Sequence, residues 1–177
     1  MSDLKWLIAR EIPHLRRYAR ALTRNEVEAD DIVQEALEKA LRKSGQWRRI
    51  GSVRAWLFTT LYRTFLNSRR KAGAQAQPHA TDGDMESALV AAGQSEPASQ
   101  EGPLVWRDVT VALDRLPEEQ RAALLLVTLE DLSYDEAAAV LDIPIGTLRS
   151  RVSRARESLR QSMDPALEPA APIRRIK

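Results

Sequence analysis

Cysteine is absent from the 177 residues. Disulfides and thiolate-bound metals are therefore excluded, and the chain suits a reducing compartment such as the cytosol. No run approaches the roughly 18 consecutive apolar residues that a membrane-spanning helix needs. The N-terminal stretch Met1-Ser2-Asp3-Leu4-Lys5-Trp6 lacks the charged-then-apolar order of a secretory signal. Glycine is scarce, with 7 residues, and aromatics make up 5%. No window sustains a period-two alternation, so strands are not expected. His14 and His79 stand alone, without the convergent ligands a metal site requires. No phosphate-cradling glycine loop and no nucleophile–base pairing is visible, so neither a cofactor nor enzymatic activity is expected.

What abounds is Ala, Leu, Arg and Glu, a helix-forming composition. The net charge of +2 says little, but its distribution says more. Residues 1–71 carry +8, residues 72–102 carry −5, residues 103–144 carry −6 and residues 145–163 carry +4. Two basic blocks separated by acidic ones point to two surfaces facing a polyanion, although solvated surface charge would give the same pattern.

The segment from Ala72 to Pro103 is rich in Ala, Gln, Gly, Ser and Pro and holds no aromatic residue. It cannot bury enough apolar surface to offset its ordering entropy, so it reads as a flexible acidic linker, with a short helix possible around 85–92. The expected division is a first module at 1–71, the linker at 72–102, a second module at 103–163 and an unstructured tail at 164–177. In the first module Leu4, Ile8, Ile12, Leu15, Ala19 and Leu22 recur at helical spacing as one stripe, which could break at Pro13 although proline is tolerated in a first helical turn. A second helix is expected from about Glu28 to Lys43, facing Ile32, Val33, Ala36, Leu37, Ala40 and Leu41 inward and ending at Ser44-Gly45. A third, about Val53–Arg70, begins apolar and ends basic. Its Trp56, Leu57 and Phe65 read as core.

The second module opens with a helix around Val105–Arg115. Pro117-Glu118-Glu119 starts another that continues through Ala122–Leu129. Ser133-Tyr134-Asp135-Glu136 has the form of a capping box and predicts a short helix to about Leu141. Asp142-Ile143-Pro144-Ile145-Gly146 breaks the chain, and Thr147 is expected to cap a last helix reaching about Met163. Two short helices joined by a tight break, the second basic, are the layout of a DNA-reading helix-turn-helix. Leu148, Val152, Ala155 and Leu159 form the buried stripe of that last helix. Arg149, Ser150, Arg151, Ser153, Arg154 and Arg156 face away, where the planar guanidinium fork suits guanine edges and phosphates.

The segment Leu116-Pro117-Glu118-Glu119-Gln120-Arg121, then Leu132-Ser133-Tyr134-Asp135-Glu136-Ala137-Ala138 and 145–156, resembles region 4 of extracytoplasmic-function sigma factors, within the sigma-70 family. Ala29-Asp30-Asp31-Ile32-Val33-Gln34-Glu35 is similar to the region 2 helix of that family, and Arg54-Ala55-Trp56-Leu57-Phe58-Thr59 to the start of its −10 helix. The resemblance covers roughly residues 10–71 and 105–162. It implies an all-α chain of two small helical domains, a region 2 bundle and a region 4 helix-turn-helix. The implied partners are core RNA polymerase (its β′ clamp and β flap), promoter DNA and an anti-sigma factor, in the cytoplasm and in a stress response. By the same resemblance Asp31, Gln34, Glu35 and Glu38 would grip the polymerase. Trp47, Arg48, Arg49, Arg54, Tyr62, Arg63, Asn67, Arg69 and Arg70 would serve the single-stranded −10 element, a task that needs stacking walls and basic groups. Arg149, Ser150, Ser153 and Arg154 would face −35 base edges, with Thr147, Arg151 and Arg156 nearer the backbone.

The sequence departs from the family at three places. Leu37 and Leu41 stand where aromatics are frequent, Arg63 where many relatives have an Asn lining the base pocket, and Ser153 where some carry a bulkier residue. Two other functions share many of these features. A helix-turn-helix regulator would bind duplex DNA without polymerase, and a sigma-like decoy would only sequester an anti-sigma factor. A decoy has no need of an arginine-rich last helix. A small recombinase would need a catalytic serine or tyrosine setting that the chain does not show.

Overall fold

The computed structural model describes residues 2–46, 52–74 and 109–163, and within these every regular element is a helix. Trp47, Arg48 and Arg49, the linker from 75 with its expected short helix, residues 103–108 and the tail from 164 lie outside the described residues. The first three helices are α1 (Ser2–Thr23), α2 (Glu26–Arg42) and α3 (Val53–Ala74), with a single 3-10 turn at Ser44–Gln46. Helix α4 spans 109–114. It is followed by α5 (Glu118–Thr128), α6 (Tyr134–Leu141) and α7 (Ile145–Met163).

Helix α1 runs through Pro13 instead of breaking there. Pro13 and Ala9, whose carbonyl loses its intrahelical donor, are both exposed, so that carbonyl faces solvent. Arg24 takes a left-handed conformation (φ 59°) after α1, and Asn25 caps α2 by accepting a hydrogen bond from the Glu28 amide at 2.9 Å. On α2 the buried side chains are Ala29, Ile32, Val33, Ala36 and Ala40. Leu41, expected inward, is 46% exposed. Ala40 occupies the core position, and one residue further turns the side chain about 100° away from it.

Helices α1, α2 and α3 pack on one another, and so do α5, α6 and α7. The two groups are also joined: α3 packs against α6, and α1 against α5. Leu15, Tyr18, Phe58 and Phe65 from the first group belong to the same buried cluster as Leu125, Leu126, Val140 and Leu148 from the second. Tyr18 sits at this seam. It is fully buried, meets Phe58 edge-on at 5.3 Å and 84°, and donates its hydroxyl to the Ala122 carbonyl at 3.4 Å.

Burial pushes the Tyr18 hydroxyl well above its ordinary 10.0, with the neighbouring Tyr62 and Glu130 adding to the rise. The folded chain therefore holds this proton where the unfolded chain releases it, and stability falls as pH rises above about 10. Denaturant titrations across pH 8–11 should show this decline, and Y18F should make it shallower. A wild-type decline that Y18F leaves unchanged would place the ionisation elsewhere.

Candidate nucleic-acid interface

The last two helices are set by local chemistry. Ser133 Oγ accepts from the Glu136 amide at 3.2 Å while the Glu136 carboxylate accepts from the Ser133 amide at 3.1 Å, closing the expected capping box at the start of α6. Asp142 ends α6 in the left-handed region (φ 55°), a conformation that Asp tolerates better than most residues. Helix α7 begins at Ile145, directly after Pro144, so Thr147 lies inside its first turn and does not cap it. Gly146 likewise sits in the helix; the tight turn is made by Asp142.

Leu148, Val152 and Ala155 are buried beneath α7, and Leu159 is half-buried. Arg149, Ser153, Arg154 and Arg156 are exposed, and Ser150 is half-exposed with its hydroxyl donated back to the Thr147 carbonyl at 2.9 Å. Arg151 turns toward α5, where it is paired with Glu119. Arg149, Arg154 and Arg156 have no carboxylate partner among the described residues, and with Ser153 they line an open groove beside Tyr134. An outward cationic face on a helix anchored by three aliphatic side chains can meet phosphates and base edges together.

The basic helix α3 divides its candidates between two faces. Arg63, Asn67 and Arg70 are exposed at spacings of four and three, so they share one outward face. Arg54, Tyr62 and Arg69 turn the other way, toward the second group of helices. Tyr62 is buried 6.1 Å from Phe65, and burial raises its hydroxyl. Arg69 lies 3.2 Å from Glu118 of α5 and 3.9 Å from Glu28.

On α2 Asp31, Gln34 and Glu38 are exposed, with the Gln34 amide donating to Glu38 at 3.3 Å. Glu35 is only half-exposed and bonds Lys39 at 2.6 Å, which lowers its carboxyl pKa. Val27, 73% exposed, and Leu41 fall on the same line as Asp31, Gln34 and Glu38, at steps of four, three, four and three. This line lies opposite the buried face of α2. It offers an acidic centre with an apolar residue at each end.

Sequence reasoning missed the most heavily paired acid among the described residues. Glu130, just past α5, has a side chain with no exposed surface, and it is surrounded by cations from α1 and α3. Arg17 donates through Nε at 2.9 Å and Arg54 through Nη2 at 2.8 Å, while His14 Nδ1 lies 3.2 Å away. Arg54 also bonds the Glu130 carbonyl at 2.9 Å and Glu11 at 2.9 Å, and Arg17 bonds the Leu129 carbonyl at 2.7 Å. His14 is thus not the isolated histidine that its place in the sequence suggested. Burial pushes the Glu130 carboxyl up from the ordinary 4.5, against the downward pull of Arg17, Arg54 and His14.

Two family models match the chain: one described as the Sigma2 domain of PhyR over residues 8–62, the other as Sigma-70, region 4 over residues 106–159. The ECF RNA polymerase sigma factor EcfG of Rhodopseudomonas palustris is 38% identical over 148 residues, covering 84% of this chain and 78% of its own. The chain belongs to the extracytoplasmic-function RNA polymerase sigma factors. Among solved structures the sigma factor RpoE of Bartonella quintana, crystallised with the anti-sigma factor NepR, is 31% identical. It covers 92% of this chain and 97% of its own, with a TM-score of 0.74. The anti-anti-sigma factor PhyR of Bartonella quintana shares the fold at 18% identity and a TM-score of 0.58, over 90% of this chain and 50% of its own.

In this sigma factor the region 2 match takes in most of α1, all of α2 and about the first half of α3, and the region 4 match takes in α4, α5, α6 and α7 as far as residue 159. The all-helical reading therefore holds for the described residues. No helix among them is long and apolar enough to cross a membrane. The structure brings Arg149, Ser153, Arg154 and Arg156 to one accessible side of α7, and Arg63, Asn67 and Arg70 to one side of α3. It does not join Arg54, Tyr62 and Arg69 to the latter group. Tyr62 is buried, and Arg54 and Arg69 are paired with acids far away in sequence, which no local pattern announces.

Proposed function

We propose that this sigma factor binds core RNA polymerase and directs it to promoters, with an anti-sigma factor controlling access. Helix α2 would dock on the clamp through Asp31, Gln34 and Glu38, with Val27 and Leu41 adding the apolar contact that surface charges alone cannot replace. Arg63, Asn67 and Arg70 of α3 would meet the unpaired −10 strand, and Arg149, Ser150, Ser153 and Arg154 of α7 the −35 major groove. Region 4 would in addition reach the polymerase β flap. The observation that carries the reading is the outward face of α7. It keeps Arg149, Arg154 and Arg156 accessible in a chain alike to EcfG over most of its length. A decoy would gain nothing from that face. Inhibition by an anti-sigma factor is supported by the complex in which the similar Bartonella protein was solved.

The double reversal D31K/E38K tests the docking step. Both side chains are exposed, so folding should be retained, and affinity for purified core polymerase should drop about 5- to 20-fold in fluorescence anisotropy. Unchanged affinity would remove α2 from the interface.

A further inference from the structure

Acids and carbonyls of the second module meet arginines of the first at several points of the seam. Arg17 and Arg54 converge on Glu130, Arg69 meets Glu118, and Arg24 donates to the Asp114 carbonyl at 3.0 Å. The acidic block of the second module thus neutralises part of the basic block of the first. Glu130 is held by α1 and α3 in the way a phosphate oxygen would be: two guanidinium groups and an imidazole nitrogen converge on one carboxylate.

We infer that Glu130 is an internal stand-in for nucleic-acid phosphate, closing the two modules on each other and withholding Arg54 from the −10 strand. The inference rests on the sigma-factor reading above for the identity of the strand, but not for the closure.

Three observations carry it. First, every side-chain hydrogen bond of Glu130 crosses the seam: its partners are Arg17 and Arg54, with His14 in reach. Opening would expose Glu130 as an ordinary surface acid without disturbing its own module. Second, the clasp is easily exchanged. The desolvation of a buried ion pair cancels much of its attraction, and burial does push the Glu130 carboxyl up despite the flanking cations. Apolar burial at Tyr18, whose hydroxyl reaches the Ala122 carbonyl across the seam, therefore shares in the closure, and the clasp fixes its register. Third, the masking is selective. The α2 line from Val27 to Leu41 and the α7 face at Arg149 and Arg154 stay exposed in the closed form. Polymerase and the −35 duplex can engage first, and a phosphate backbone then competes with Glu130 for Arg54.

The test uses the full chain with E130K, which places a cation against Arg17 and Arg54 and becomes a surface lysine once the modules part. Because the protein has no cysteine, R16C and S162C at exposed sites accept a donor and an acceptor dye on opposite sides of the seam. Single-molecule energy transfer should show one short-distance population in the wild type and a shift to longer distances in E130K. Circular dichroism should show helical content retained. Affinity for a short labelled single strand of mixed sequence should rise about fivefold or more in E130K, and R54Q should abolish that gain. Should E130K lose helicity, R17Q gives the same opening from the other side of the clasp. Unchanged distances in the folded variants would overturn the clasp. Longer distances without a gain in strand binding would overturn the withholding of Arg54. Failure of both wild type and variant to bind polymerase would count against the proposed function while leaving the closure standing.

Discussion

Alanine at both Arg149 and Arg154 is expected to remove about 2–6 kcal/mol of −35 affinity from the assembled holoenzyme, since each guanidinium that reads a base is worth about 1–3 kcal/mol. Both side chains are exposed and neither is paired with a carboxylate among the described residues. Their loss should therefore change folding stability by less than about 0.5 kcal/mol. Footprinting on matched and scrambled −35 duplexes at two salt concentrations separates base reading from phosphate attraction. A base contact is lost from the matched duplex alone, whereas a phosphate contact weakens both and flattens the salt dependence. Arg151 makes a useful comparison. It is already committed to Glu119, so R151A should cost less on DNA. Equal losses from R149A and R151A would mean that α7 presents a different face.

Phe58→Ala should cost about 3–5 kcal/mol of folding stability, a large part of the about 5–15 kcal/mol that a domain has in total. Phe58 is fully buried on α3, stands nearly perpendicular to the Tyr18 ring from α1 and lies 5.6 Å beneath the Arg54 guanidinium. Its removal leaves a cavity that α1 and α3 cannot both fill, and it deprives Arg54 of the ring over which it is held. Denaturant midpoints for wild type, F58A and F58L measure the effect, and F58L should recover more than half of it. A loss below about 1 kcal/mol would show that the seam repacks freely and that closure does not depend on these rings.

Local physics was legible in the sequence to the extent that it is local. The spacing of Leu148, Val152 and Ala155 located the buried side of α7, and Ser133 with Glu136 located the start of α6. Where two local signals competed, the outcome was decided by backbone geometry that residue type only biases. Gly146 and Thr147 suggested a break and a cap, yet Asp142 makes the left-handed turn and both residues join the helix. Pro13 leaves open in sequence whether the stripe breaks, and the helix runs through it at a solvent-facing position.

The seam between the modules was not legible at all. Glu130 reads in sequence as one more solvated acid near a helix end, and Arg54 as one more basic residue on a DNA-facing helix. Only the packing of α1 on α5 and of α3 on α6 brings residues 17, 54 and 130 together. The alternating charge blocks are visible in the sequence, where the two basic ones suggest surfaces for an external polyanion. Part of the basic block instead faces the acidic block of the same chain. Leu41 shows the same limit on a smaller scale: its hydrophobicity pointed inward, while its angular position on α2 places it beside Glu38 on the outer face.

The most direct measurement is transcription reconstituted from purified bacterial core polymerase, genomic DNA and this protein, with RNA 5′ ends sequenced. Discrete new starts should appear that share two upstream elements, and they should vanish with D31K/E38K. A protein that binds core polymerase yet adds no start above core alone would contradict promoter recognition and leave the chain as a competitor for an inhibitor.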